Sequence, residues 1–300
     1  INKCHINNQI FNDILLLTKK VVVKEKLIPY DVINHIGFLM FLVLRIGVYT
    51  NEVMINIVTS KDSPELLKPL VKELSNKIHN IKSIVNTINT KKNNTVSGRI
   101  KLLYGKIFIK EKIGNYIFKI SANSFFQTNS YQAKTLYDYI IKIADFKKND
   151  IVYDLYCGTG TIGIYISSYV KKVYGIEIIE DAIEDAKFNA EVNGIENMLF
   201  YASDIKDFFN GKNNIADKPD TVIIDPPRPG LHGDVVQDII SLSPAKIIYV
   251  SCNPSTQARD VKIFIENEYK ISDIMPIDMF PHTPHIECII TLKNKECYLK

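Results

Sequence analysis

Asp154-Leu155-Tyr156-Cys157-Gly158-Thr159-Gly160-Thr161-Ile162-Gly163 lies where a short apolar run, 151–155, gives way to a helical pattern. Glycines at a strand-to-helix turn let the backbone approach a ligand closely, and the helix N-terminus beyond them offers unpaired N–H groups. The spacing Gly158-x-Gly160-x-x-Gly163 is weak evidence alone, because a tight turn explains it equally well. Glu177 sharpens it: seventeen residues past Gly160, at the end of the next apolar run, an acid can hydrogen-bond both hydroxyls of a ribose. NAD and S-adenosylmethionine both satisfy that geometry. Asp154 ahead of the glycines, and the D-x-x-C-G-x-G form, lean toward S-adenosylmethionine. Asp204, after the third run, is placed to reach an adenine amino group.

Outward from this turn, strands and helices alternate. Strands are expected at Ile151–Leu155, Lys172–Glu177, Met198–Ala202, Thr221–Asp225 and Lys246–Ser251. Helices are expected over 161–170, 180–193 with Gly194 as its stop, 232–241 and 255–267. Such alternation implies a doubly wound parallel sheet that binds its ligand at the carboxyl ends of the strands. Lys270–Asp278 and Glu287–Leu292 follow without an intervening helix, so an antiparallel hairpin is expected at one edge. The first part reads as a smaller, irregular α+β region. It has a hairpin of Phe38–Val48 with Val53–Thr59, a helix from Ser63-Pro64-Glu65 to about His79, and strands at Ser83–Asn89, Gly105–Ile109 and Tyr116–Ile120. The expected domains are 1–120 and 121–300.

The 300 residues are 46% hydrophobic and 23% charged, which excludes a disordered, collagenous or disulfide-scaffold chain. The apolar stretch Ile36–Leu44 is nine residues, far short of the ~20 that span a bilayer. Ile1-Asn2-Lys3-Cys4-His5 lacks both a signal-peptide pattern and a starting Met, so the chain is expected to be processed, trimmed or part of a longer one. Cysteines at 4, 157, 252, 288 and 297, with no CxxC spacing, favour a reducing, cytoplasmic setting. The net charge of +4 conceals an asymmetry. Residues 1–150 hold 23 Lys/Arg against 11 Asp/Glu, a net of +12, and residues 151–300 hold 14 against 22, a net of −8. A strongly positive half is the footprint of a polyanion partner, although solvated lysine-rich faces are also common.

Four further strings carry chemistry. Ile224-Asp225-Pro226-Pro227-Arg228-Pro229-Gly230 ends the fourth strand of the alternating part. Its prolines halt strand pairing and leave Asp225 and Arg228 at the ligand-binding edge. Val250-Ser251-Cys252-Asn253-Pro254 puts a thiol at the end of the fifth strand. A lone cysteine there is more often a small buried hydrophobe; as a nucleophile it needs an environment that favours thiolate. Phe280-Pro281-His282-Thr283-Pro284-His285-Ile286-Glu287 leads into the last strand, where partial burial would raise the Glu287 carboxyl for base work. His282 and His285 lack zinc spacing. Ser124-Phe125-Phe126-Gln127-Thr128-Asn129 precedes a helix over about Gln132–Ala144 and sets Gln127 to reach the cofactor or the base.

SFFQTN, DLYCGTGTIG, DPPRPG, SCNP and MFPHTPHIE, in this order over roughly 120–300, resemble the RNA uracil-C5 methyltransferases of the TrmA/RumA type. The resemblance implies a Rossmann-like class I methyltransferase sheet, Cys252 as nucleophile and Glu287 as general base. It puts Gln127, Tyr156, Thr161, Glu177, Asp204 and Asp225 around S-adenosylmethionine, with Arg228 on the substrate ring. It also implies an RNA partner, a monomer, and 5-methyluridine as product. The PPRPG and CNPSTQARD forms look more like the 23S rRNA branch than the tRNA branch. Family members often carry Asn where Thr161 stands. Many also have an N-terminal β-barrel and a 4Fe-4S cluster; only Cys4 falls where a cluster ligand would, so a cluster is expected only in a longer chain. Two other readings remain. An amino-group methyltransferase would need neither Cys252 nor Glu287, and an RNA-binding remnant without catalysis would fit the basic first half.

Overall fold

The computed structural model describes residues 4–91, 93–212 and 217–295. Cys297 lies outside them. Two compact units are present: Ile1–Lys112 with Phe118–Asn123, and Ile113–Ile117 with Ser124–Lys300.

The first unit contains α1 (Gln9–Lys24), β1 (Leu39–Ile46), β2 (Val53–Thr59), α2 (Pro64–Lys77), β3 (Ile81–Ile88) and β4 (Arg99–Gly105). Its sheet runs β1-β2-β3-β4, with β2 and β3 parallel across the α2 crossover and both outer pairs antiparallel. Ile14 and Val21 of α1 and Leu67, Leu70 and Leu74 of α2 pack on Val53, Ile55 and Ile57 of β2. That apolar face, repeating at three and four residues along each helix, is what fixes the layer. A two-stranded hairpin of β5 (Phe108–Ile113) and β6 (Tyr116–Ser121) turns at Gly114-Asn115.

The second unit contains α3 (Ser130–Ala144), β7 (Ile151–Leu155), α4 (Thr161–Ile166), β8 (Lys172–Glu177), α5 (Glu180–Val192), β9 (Met198–Ala202) and α6 (Ile205–Asp207). It continues with β10 (Thr221–Ile224), α7 (Gly233–Leu242), β11 (Lys246–Ser251), α8 (Pro254–Glu266), β12 (Tyr269–Ile277) and β13 (Glu287–Asn294). The sheet order is β12-β13-β11-β10-β7-β8-β9. Five strands are parallel, and β13 is antiparallel to both β11 and β12, as the alternation and the helix-free ending predict. One face buries Tyr153, Leu155, Val222, Ile224 and Tyr249 under Val236 and Ile239 of α7 and Phe264 of α8.

Three expectations shift. Helix α1 was not anticipated; Ile10, Ile14, Leu17 and Val21 give its buried stripe, and Asn8 caps it by accepting from the Ile10 N–H at 3.2 Å. The helix expected over 161–170 ends at Ile166 and continues only as a single 3-10 turn over Ser167–Tyr169. Ser167 Oγ donates to the Ile164 carbonyl at 2.8 Å, and Asn197 Nδ2 takes the carbonyls of Ser167 and Val170, diverting the bonds that further helical turns would use. The strand placed at Gly105–Ile109 divides into β4 and β5. Gly105 has φ +73° and ends β4, so close to the Lys82 carbonyl that a Cβ would collide with it.

Candidate active site

The loop after β7 has left-handed backbone at alternate positions: Tyr156 (φ +61°), Gly158 (+53°) and Gly160 (+78°). Tyr156 holds that conformation without glycine's freedom, which marks the loop as constrained by its surroundings. Asp154, fully buried on β7, ties the helix start to the strand by accepting from the Gly163 N–H at 2.9 Å. Glu177 closes the other side. It accepts from the Gly158 N–H at 3.2 Å and the Ile179 N–H at 3.0 Å. Burial and the nearby acids Asp225 and Glu177 push the Asp154 carboxyl up to about 8.

Several features fit a bound nucleoside with a cationic centre. Nothing lies within 4 Å of where a Gly158 Cβ would be, so the loop leaves open space at its left-handed glycine. Ile178, next to Glu177, leaves an apolar side chain 61% exposed. Asp154 Oδ1 and Gln127 Oε1 are buried polar atoms without hydrogen-bond partners, and such atoms in a native fold call for a ligand or water. Tyr156 is half-buried, and burial with the nearby Asp204, Asp260 and Glu177 carboxylates pushes its phenol up to about 12. Thr161, first residue of α4, accepts from Tyr137 Oη at 2.9 Å. Asp204 is exposed and caps α6, accepting from the Lys206 N–H at 2.9 Å.

The second cluster sits at the carboxyl edge of β10 and β11 and the amino end of β13. Register explains the meeting: Ser251, the last residue of β11, pairs with Cys288, so Cys252 and Glu287 emerge at the same edge. Glu287 is 5% exposed; burial and the Asp225 carboxyl raise it to about 7 against the pull of Arg228. Asp225, one residue past β10, is itself pushed up to about 7 by burial. At Cys252, burial and then Glu287 push the thiol up on balance, against the opposing pull of the nearby Arg228 guanidinium. A carboxyl near 7 can accept a proton at neutral pH, and a guanidinium on sulfur favours thiolate.

Some positions were not legible as site residues. Asn129 caps α3 through the Gln132 N–H and donates to the Met279 carbonyl at 3.2 Å, joining the SFFQTN string to the loop that leads to Glu287. Asn253, Thr256, Arg259 and Asp260 bind the loop bearing Arg228, discussed below; an N-cap and helical spacing were their only signal. Among the described residues, no group of three His, Cys, Asp or Glu could hold a metal, and the Cys4 backbone is bonded to the Asn12 side chain. No helix among them is long and apolar enough to cross a membrane.

Residues 21–295 match the tRNA (Uracil-5-)-methyltransferase family. The chain is 39% identical over 297 residues to an uncharacterized RNA methyltransferase of Caldanaerobacter subterraneus, covering 98% of this chain and 65% of that protein. It is 39% identical over 293 residues to another from Oceanobacillus iheyensis, covering 97% and 64%. The chain thus spans a little under two thirds of such curated relatives. The crystal structure of Pyrococcus abyssi tRNA (uracil-54, C5)-methyltransferase in complex with S-adenosyl-L-homocysteine superposes with a TM-score of 0.83 at 36% identity, over 97% of this chain and 69% of that one. A tRNA m1G37 methyltransferase from M. jannaschii, at 17% identity and a TM-score of 0.53 over 88% and 78%, shares the fold alone. These matches, with the sheet and motifs described above, show that the chain belongs to the tRNA (uracil-5-)-methyltransferase family.

Proposed function

We propose that the chain methylates carbon 5 of a uridine in RNA, using S-adenosylmethionine, with Cys252 as nucleophile and Glu287 as base. The observation that carries this reading is the meeting of Cys252, Glu287, Asp225 and Arg228 at one sheet edge, where Glu287, Arg228 and Asp225 all act on the Cys252 thiol. An amino-group methyltransferase has no use for a thiol and a proton-accepting carboxyl held together.

Gln127, Tyr156, Thr161, Glu177, Asp204 and Asp225 would hold S-adenosylmethionine, Glu177 by the ribose hydroxyls. When bound, that group supplies an electrophilic methyl on a sulfonium. The Cys252 thiolate adds to carbon 6 of the uracil, forming a C–S bond and an enolate with electron density at carbon 5. Carbon 5 would then accept that methyl group, the donor sulfur leaving as a neutral thioether. Glu287 removes the carbon 5 proton, the 5,6 double bond re-forms and Cys252 leaves as thiolate. Arg228 and Asp225 orient the ring and balance its developing charge. The base must leave any stack to reach this edge, so it is flipped out.

The first unit would provide the main RNA grip: it holds 19 Lys/Arg against 8 Asp/Glu, a net of +11. The PPRPG and CNPSTQARD forms support 23S rRNA as the target. The likeness to the Pyrococcus enzyme favours tRNA as a second reading. The test incubates 5-fluorouridine-substituted rRNA and tRNA transcripts with S-adenosylmethionine and either the native chain or Cys252→Ala. Fluorine cannot leave as a proton, so a denaturant-stable covalent adduct forms with the native chain and not with Cys252→Ala. The transcript that forms it identifies the target. Absence of adduct with saturating cofactor overturns the reading.

A further inference from the structure

The chemistry above does not use the buried carboxyl of Asp260. Asp260 on α8 is 1% exposed. Its Oδ2 accepts from the Leu231 N–H at 2.8 Å and from Tyr249 Oη at 2.7 Å, and its Oδ1 accepts from Arg259 Nε at 2.8 Å. The Arg259 guanidinium then donates to the carbonyls of Pro229 and Leu231, both at 3.1 Å. One helical turn earlier, Asn253 Nδ2 and Thr256 Oγ1 donate to the Arg228 carbonyl at 3.1 and 3.2 Å. Gly230, at φ +78°, brings the loop directly onto this pair: a Cβ there would lie 2.6 Å from Asp260 Oδ2 and 2.8 Å from the Arg259 guanidinium.

The carbonyls of 228, 229 and 231 and the N–H of 231 therefore all end on the first turns of α8. The same helix begins at Pro254, two residues after Cys252. One rigid element thus fixes both the thiol and the backbone of the residue whose guanidinium acts on it. We propose that Arg259 and Asp260 are positioning residues, locking the 228–231 loop onto α8 so that the Arg228 guanidinium stays beside the Cys252 side chain.

The proposal rests on Cys252 being the nucleophile. The charged groups facing that sulfur are Glu287 from β13 and Asp225 and Arg228 from the loop after β10; of these, only Arg228 favours thiolate. Asp260 faces Arg259 on its own helix, Tyr249 on β11 and Tyr156 on the loop after β7. A displaced guanidinium leaves burial and two carboxyls acting on the thiol, so the thiolate fraction at neutral pH falls.

The test measures iodoacetamide alkylation of Cys252 from pH 6 to 11, followed by the mass of its peptide and without RNA. Arg259→Met keeps the aliphatic stem and removes every donor. It is expected to slow alkylation at pH 7.5 by about tenfold while reaching the native rate at high pH, the signature of a thiol titrating about one unit higher. Arg259→Lys is expected to recover part of the loss, and Thr256→Val, which removes one exposed donor, to show a smaller shift in a fully folded chain. Arg228→Met is expected to match Arg259→Met, with no further loss in the double variant, because both act through one guanidinium. A lower Tm with an unmoved alkylation profile, or additive losses in the double variant, overturns the proposal. Because alkylation needs no RNA, a shifted profile with no 5-fluorouridine adduct in the native chain overturns the proposed reaction and leaves the positioning role standing.

Discussion

In the proposed reaction Glu287 and Cys252 must both lose a proton before they act, and their surroundings oppose that loss. Burial and Asp225 raise Glu287 to about 7, so its base form is half populated near neutrality and protonated at pH 5.5. Turnover is therefore expected to rise with pH through about 7, since the deprotonated carboxylate is the active form. The Cys252 thiol, pushed up by burial and by Glu287, keeps the rate rising above that pH. Replacing Glu287 by Gln separates the steps. The thiolate can still add and carbon 5 can still take the methyl group, but nothing removes its proton. Glu287→Gln is expected to lower turnover by at least about a hundredfold, the usual worth of a general base. It should also accumulate a denaturant-stable, methylated adduct on ordinary uridine, read by labelled methyl groups co-migrating with protein. A Glu287→Gln chain that turns over normally would remove the carboxyl from the reaction.

On the proposed reading, loops and helix starts rather than strand interiors set the cofactor cradle, and Gly158 and Gly160, two residues apart, test this. Gly158 and Gly160 share a left-handed backbone, and an alanine at either is strained by roughly 1–2 kcal/mol. Their surroundings differ. An added Cβ at 160 meets Phe200 at 3.0 Å and Ala186 at 3.2 Å, whereas at 158 it enters open space. Gly160→Ala is expected to lower Tm more than Gly158→Ala. Gly158→Ala is expected to weaken S-adenosylhomocysteine binding by tenfold or more with a modest change in Tm, as calorimetry would show. Equal effects of the two on binding would mean that the open space at 158 is not used. Much of this element was legible beforehand, because glycine spacing, a following carboxylate and alternating apolar runs are local signals. The helix-free ending likewise implied the antiparallel β12–β13 hairpin, but not that β13 would also pair with β11, the register that brings Glu287 to the edge where Cys252 emerges. Bonds between distant strings were not legible. Nothing in the sequence links Asn129 to the Met279 carbonyl, or Arg259 to those of Pro229 and Leu231, because a side chain's choice of backbone partner is decided only when the elements pack. Helix α1 had a readable period and cap, but its run of β-branched Val21, Val22 and Val23 favours strand on local preference, and burial against α2 and β2 overrides it.

Charge is partitioned between the two units far more steeply than the net value suggests. The first carries +11 and the second, with 18 Lys/Arg against 25 Asp/Glu, carries −7. The acidic unit bears the proposed catalytic edge, so on that reading attraction for a polyanion comes chiefly from the basic one. Within that unit a cleft of about 390 Å³ is lined by Lys61, Lys91, Arg99, Asn89, Ser97, the Gly98 backbone and one acid, Asp62, a predominantly basic and polar set suited to phosphate oxygens. Arg99 is also engaged by Asp62 at 2.6 Å, whereas Lys61 and Lys91 stand exposed at the rim. Phosphate contacts release counterions, so each lysine lost from such a contact lowers the slope of log affinity against log salt by about 0.7 for a single-stranded RNA. Lys61→Gln with Lys91→Gln is expected to reduce that slope by roughly 1.4, weakening binding at low salt far more than at high salt. The exposed lysines of the second unit, Lys187 and Lys262, provide the comparison, and replacing both by Gln is expected to leave the slope unchanged. A slope that responds to the second pair and not the first would move the RNA path from the basic unit onto the catalytic one.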